Sequence, residues 1–339
     1  MSKIFVIGSA NMDTTHYLGT EFPDELTQES LNEIVKTARV LGGKGANQAR
    51  ATKLQSKDDE VYFIGCVGKD EAGLNILQEL KKVGVDFSGT KVLDGTATDG
   101  RIINVDIKGE NRMMGYGDCI KQLTPNLLDK EILDNADIIA IQLKMPAETS
   151  KYVIEYCTKH NKKLIIDPTP IEKSSILLEN DRELLKQATF LTPNEEEAFA
   201  LIGYQKGKTV QEIKEEFKHT SKEDRLRMID EFIAKNPNVI ATLGADGVMY
   251  KSDAYVCRKP AYPTVCKDST GAGDTFNGGF IAALARGKDI HRAVEFGLMA
   301  ASIKVKHLGA QNGVPTLEET ERAIEVTPRY KINKDKDER

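Results

Sequence analysis

The sequence predicts an α/β chain: a doubly wound, mostly parallel sheet with helices on both faces and a small β lid. Three observations predict it. Short runs that are apolar at nearly every position alternate with helical patterns, as buried parallel strands and their crossover helices do. Segments bearing Gly, Pro and Asp follow directly after those runs, at the carboxyl edge where ligands sit in such sheets. Two stretches, about 14–40 and 96–117, break the alternation, and the second holds an alternating run with a GE turn that reads as a hairpin.

In chain order, KIFVIGS, EVYFIGCVG, ADIIAIQL, KKLIIDP, ATFLTPN and NVIATLG read as strands. KGANQARATKLQ, EAGLNILQELKKVG, AETSKYVIEYCTKHN, EEEAFALIG and FNGGFIAALARG read as helices. The stretch 206–236 spaces Val210, Ile213 and Phe217, then Leu226, Ile229, Phe232 and Ile233, as one or two amphipathic helices whose role is packing. One domain over 1–327 is expected, carrying the two lid segments, followed by a charged tail, 328–339, too polar to bury apolar area and expected to be disordered.

Composition narrows the function. The chain has 47 Lys and Arg against 52 Asp and Glu, dispersed to a net charge of −5, which lacks the basic footprint of a nucleic-acid binder. Its five cysteines, Cys66, Cys119, Cys157, Cys257 and Cys266, form no CxxC pair, and its five histidines form no HExxH group. The start, MSKIFVIGSANMD, has an apolar run too short for a signal segment, and no later run approaches a membrane span. The expectation is a cytoplasmic protein that handles a small molecule, without nucleic acid or membrane as partner.

Two glycine-rich segments carry chemistry. In DSTGAGDTF, residues 268–276, Gly271, Ala272 and Gly273 open a helix. Backbone N–H groups at a helix N-terminus favour an anion, and glycine lets a phosphate approach them. Asp274 lies in the first turn. It fits a helix-capping role, and it equally fits a base that takes the proton of a hydroxyl attacking a phosphoryl group. In LGGKGANQA, residues 41–49, Gly42 and Gly43 allow close approach while Lys44 and Asn47 offer donors to a polyhydroxylated ligand. Neither segment is a Walker loop or a dinucleotide fingerprint.

GSANMD, GGKGANQA, TPNEEE, TLGADG, DSTGAGDTFNGGF and LGAQNGVP occur in an order and spacing that resemble the PfkB-type, or ribokinase-like, carbohydrate kinases, over about residues 3–325. The resemblance implies ATP-dependent phosphorylation of a sugar's primary hydroxyl, ribose first among acceptors, with Mg²⁺ and K⁺ as ions and a homodimer formed through the lid. It implies Asp274 as base and Gly271, Ala272 and Gly273 as anion hole. Asn11, Asp13, Gly42, Gly43, Lys44 and Asn47 match sugar-holding positions. Asn194 and Glu197 match the NxxE element that organises phosphate and, indirectly, Mg²⁺, while Thr242, Gly244 and Asn277 match positions around the nucleotide. Asp268 and Thr270, with the backbone near His307, Gly309 and Gly313, match a loop that holds a monovalent cation.

Three features depart from the family pattern. Gln142, Leu143 and Lys144 stand where QLE is usual, so an ammonium replaces a sugar-binding glutamate; Gly117, Asp118 and Cys119 replace GAN; and 206–236 is longer than expected. Lys144 opens a second reading, a relative acting on another sugar, a nucleoside or an anionic sugar. A third reading, a sugar-binding or regulatory protein without catalysis, leaves Asp274, the glycine cradle and NxxE unexplained.

Overall fold

A computed structural model describes residues 1–22, 33–170, 172 and 183–327. The tail from 328 and part of the first lid stretch lie outside the described residues. The central sheet is built from the apolar runs. β1 (Lys3–Ile7) lies between β4 (Glu60–Ile64) and β9 (Ile138–Gln142), followed by β10 (Lys163–Asp167) and β11 (Phe190–Leu191), all parallel. Every residue of β9 is buried, as expected for a strand covered on both faces. Bridges Leu191↔Val239 and Asn194↔Thr242 carry the sheet on to β12 (Ile240–Thr242). An antiparallel pair then ends it, β13 (Val248–Ser252) and β14 (Tyr255–Lys259). The sequence reading did not anticipate these two, because their polar residues break the apolar run. A partly solvated edge pair tolerates that alternation.

A second sheet stands apart, in the order β3–β2–β7–β8: β2 (Asn11–Leu18), β3 (Ile34–Gly42), β7 (Gly100–Val105) and β8 (Asn111–Tyr116). The Asp106 carboxylate closes the β7–β8 turn by accepting the amides of Lys108 at 2.8 Å and Glu110 at 2.9 Å. β5 (Cys66–Gly68) and β6 (Lys91–Leu93) pair separately.

Helices cover the central sheet: α1 (Lys44–Leu54), α2 (Glu71–Lys82), α3 (Lys130–Asp134), α4 (Ala147–Lys159) and α5 (Glu195–Gln205). The 206–236 stretch forms two helices, α6 (Val210–His219) and α7 (Lys222–Lys235). Each starts on a hydroxyl cap, Thr209 or Ser221. Ile213, Ile229, Phe232 and Ile233 are buried in the core that contains Phe199 and Leu201. Packing therefore accounts for this stretch.

The last three helices are α8 (Ala272–Ala285), α9 (Ile290–Lys304) and α10 (Leu317–Val326). α8 is buried from Asp274 through Ala283 and packs on both α1 and α9. Gly278 permits the α1 approach, since a Cβ there would lie 2.4 Å from the Ala51 Cβ and 2.6 Å from its carbonyl carbon. Phe280, fully buried, contributes about 1.5–3 kcal/mol by leaving water. No helix among the described residues is long and apolar enough to cross a membrane, and all five cysteines are free thiols.

Candidate active site

The site forms where the N-termini of α1 and α8 meet the carboxyl ends of β9 and β10. Gly271 takes a left-handed backbone, φ 79°, to turn the chain into α8. A Cβ there would strike the Ala310 carbonyl oxygen at 2.4 Å, so the turn needs glycine twice over. Nothing lies within 4 Å of where a Gly273 Cβ would stand. The cradle of Gly271, Ala272 and Gly273 is open on that side.

Asp274 follows, buried, with its carboxylate held from α1. Asn47 donates its Nδ2 to Oδ2 at 2.8 Å, and Gln48 donates Nε2 to Oδ1 at 3.2 Å. Gln48 also donates to Asp167 Oδ2 at 2.7 Å, an oxygen that receives Lys44 Nζ at 3.1 Å and Asn277 Nδ2 at 3.5 Å. Gln142 donates to Gln48 Oε1 at 2.8 Å, and Gln311 donates to Asn47 Oδ1 at 2.9 Å. Burial pushes the Asp274 carboxyl above its ordinary value; Lys44 opposes this and Asp167 adds to it. A carboxyl displaced upward is better matched to proton abstraction near neutrality than an exposed one. Lys44 is pulled down by burial, yet Asp167, Asp274 and Glu197 outweigh that and hold its ammonium above the usual value.

The nucleotide-side residues gather one strand further on. Asn194 and Glu197 form a reciprocal capping box at the start of α5. Thr169 donates its hydroxyl to the same Glu197 carboxylate. Burial, then the charge of Asp167, pushes Glu197 up to about 7. Thr242 ends β12 beside Asn194, and Gly244 follows with φ 57° and open space around it. Asn277 Oδ1 is buried without a partner.

The acceptor side lies between the two sheets. Asn11 opens β2 opposite Gly42, the last residue of β3, and Gly43 leads into α1 with φ 87°. Asn11 Oδ1 and Asp13 Oδ1 are buried without partners, which suits groups waiting for a polar ligand. β7 pairs Arg101 with Asp13, and Lys144 follows the end of β9, half-buried. Burial and then Arg101 pull the Lys144 ammonium below its ordinary value, while Asp99 and Asp13 oppose.

The loop ahead of the cradle is braced by Asp268. Its carboxylate accepts the amides of Thr270 at 2.8 Å and Gly309 at 2.7 Å. Gly309 and Gly313 both have positive φ, and a Cβ on Gly313 would meet the His307 ring at 2.2 Å. The structure thus brings together the transfer, nucleotide, acceptor and loop residues singled out in the sequence. It also adds some that sequence reasoning missed: Gln48, Asp167, Gln142, Gln311 and Arg101. IDPTP drew attention only as a segment after a strand; the signal for Asp167 was a carboxylate at the last position of a buried strand.

Comparison with known proteins decides the class. Residues 1–317 match the model of the pfkB family carbohydrate kinases. The chain belongs to that family. This pfkB kinase is 33% identical to a ribokinase from Bacillus subtilis over 96% of the chain and 100% of that protein. Among solved structures, a ribokinase from Thermotoga maritima matches at 30% identity and TM-score 0.77, covering 96% of this chain and 100% of that one. A ribokinase from Cryptococcus neoformans, solved in complex with ADP, matches at 25% identity and TM-score 0.79, covering 95% and 99%. The pfkB kinase is accordingly an ATP-dependent carbohydrate kinase with the ribokinase fold.

Proposed function

We propose that this chain transfers the γ-phosphoryl group of ATP to the primary hydroxyl of ribose. The observation that carries the reading is the direct bonding of the Asp274 carboxylate, beside an open glycine cradle, to Asn47 and Gln48 on the helix that begins the acceptor cleft. Similarity to ribokinases along nearly the whole chain supports ribose as acceptor. Asp274 takes the hydroxyl proton while the amides of 271–273 bear charge on the transferred group. Asn11, Asp13, Gly42, Gly43, Lys44 and Asn47 hold the sugar; Asn194, Thr242, Gly244 and Asn277 border the nucleotide. Phosphoryl transfer asks mainly for such positioning and charge stabilisation.

Among the described residues no three His, Cys, Asp or Glu side chains are placed to hold a metal ion by themselves. That fits Mg²⁺ arriving on the nucleotide phosphates, where it offsets charge and Glu197 would hold it indirectly. The β3–β2–β7–β8 sheet is read as the lid, within one domain spanning 1–327. Exposed Met113, Met114, Ile34 and Val35 on that sheet support a lid-to-lid homodimer. A monomeric mass at micromolar concentration in sedimentation would overturn the dimer. A cytoplasmic location agrees with this activity, as ATP and free thiols are held there.

A second reading has its own support. Among the described residues, neither the Lys144 nor the Arg101 side chain is tied to a carboxylate within 4.0 Å, while both place positive charge near Asp13. An anionic sugar is the acceptor they would favour. The experiment for both readings is ADP release by the purified full chain with ribose, ribonate, ribose 1-phosphate and a nucleoside. Ribose turnover above all others supports the first; an anionic winner supports the second; release with none of them overturns both.

A further inference from the structure

Lys304, the last residue of α9, has no exposed surface at all, 0%. Its ammonium donates to the backbone carbonyl oxygen of Asp268 at 3.2 Å. Among the described residues it forms no ion pair within 4.0 Å. Burial pulls this ammonium below its ordinary value while nearby charge, Asp268 foremost, opposes, and keeping a charge there is costly. We propose that Lys304 is a built-in substitute for a monovalent cation, holding the 268–271 loop in place so that the chain phosphorylates its acceptor without K⁺.

The Asp268 oxygens and the Val305 carbonyl nearby are already committed. Holding a dehydrated K⁺ takes a ring of carbonyls that replaces its water. Here the Val305 carbonyl accepts two amides, Lys267 at 2.8 Å and Asp268 at 3.1 Å. The Asp268 carbonyl takes the lysine, and both Asp268 carboxylate oxygens take backbone amides. This donor set fits an internal ammonium better than an added ion. The C-terminal position on α9 favours a cation as well, since the negative end of the helix dipole lies there.

The charge acts through the backbone. With the Asp268 carbonyl drawn inward to Lys304, the next residues turn outward: the Ser269 carbonyl accepts the Ala272 amide at 3.0 Å, and Gly271 packs against Ala310. That sets the start of α8, with Gly271 turned against Ala310, directly ahead of Asp274. Lys304 is a positioning residue for the anion cradle.

The test measures two things on the full chain: turnover with ATP, Mg²⁺ and the best acceptor, and calorimetric binding of a non-hydrolysable ATP analogue. Each is run in buffers whose monovalent cation is K⁺, Na⁺ or choline only. The unmodified chain is expected to show the same rate and the same affinity in all three, within about twofold. Lys304→Met is expected to lower kcat in choline by about tenfold or more, with a smaller change in acceptor KM, because a small misplacement of aligned groups costs about that much. K⁺ is then expected to restore much of the rate, which a merely structural lysine would not allow.

Activation of the unmodified chain by K⁺ of about fivefold or more overturns the proposal. So does full activity of Lys304→Met in choline, or a folded Lys304→Met that K⁺ cannot rescue. If that variant does not fold, the ion series on the unmodified chain decides alone. Absence of turnover with every acceptor would count against the kinase reading, and analogue binding would still test Lys304.

Discussion

The two ends of the cleft are finished to different degrees. At the transfer end Asp274, Asn47, Gln48, Gln142 and Asp167 form one continuous hydrogen-bonded network before any ligand arrives. At the other end, among the described residues, Asn11 Oδ1 and Asp13 Oδ1 are buried and unpartnered, and Lys144 and Arg101 make no ion pair within 4.0 Å, although Asp13 feels both charges. A network whose members already hold one another defines a reaction, because its geometry is fixed ahead of the substrate. Unsatisfied groups define a substrate, because each awaits a partner and penalises ligands that lack one. On the proposed reading chemistry and specificity are held by different residues, and they should respond separately to mutation.

The largest expected effect strikes the transfer end. Asp274→Asn should leave the fold and nucleotide binding intact while lowering kcat by about 10² or more, the range for loss of a general base. Near-normal turnover would remove Asp274 from its role. At the acceptor end Lys144→Glu should exchange a donor for an acceptor of sugar hydroxyl hydrogen bonds. It should move the ratio of kcat/KM for ribose over ribonate towards ribose by about 5- to 150-fold, the equivalent of about 1 to 3 kcal/mol. An unchanged ratio would mean that Lys144 turns to solvent and that the acceptor end is simpler than its side chains indicate.

The smallest effect concerns stability and sharpens the picture of the transfer end. Glu197 keeps its proton up to about 7 in the folded chain against an ordinary 4.5. The folded state therefore binds more protons than the unfolded state between those values, and stability falls as pH rises through that window. Asp274 and Asp13, also displaced upward by burial, act in the same direction. Melting temperature measured from about pH 5 to 7 should decline, and Glu197→Gln should flatten part of that slope. A rising curve that the variant leaves unchanged would show Glu197 to be ionised and stabilised by its surroundings.

Much of this was legible in the sequence, for reasons that also mark where legibility stops. β1, β4, β9 and β10 were readable because strands buried on both faces admit almost nothing but apolar residues. β13 and β14 were not, since Lys251, Ser252 and Arg258 interrupt the pattern at a sheet edge. Asp274 announced itself by its glycines, whereas Gln48 lay inside a quoted motif and passed as helix filler. Its importance comes from two carboxylates, Asp167 and Asp274, that are 119 and 226 residues distant along the chain. Lys304 was the least visible of all: a lone lysine in AASIKV looks like any helical surface residue until the packing of α9 shows that no surface is there.

The glycine contact between α1 and α8 has a consequence for how the protein can move. With Gly278 seated against the backbone of Ala51, α1 and α8 sit as close as backbones allow, and any side chain added at 278 would force them apart. In the proposed reaction their contact works as a gauge, setting the spacing between Asn47 on one helix and Asp274 on the other. If the four-stranded sheet is the lid proposed above, opening and closing would turn where β2 and β3 meet the ends of β1 and α1. On that reading the gating motion would be kept apart from the residues proposed for the proton and phosphoryl chemistry.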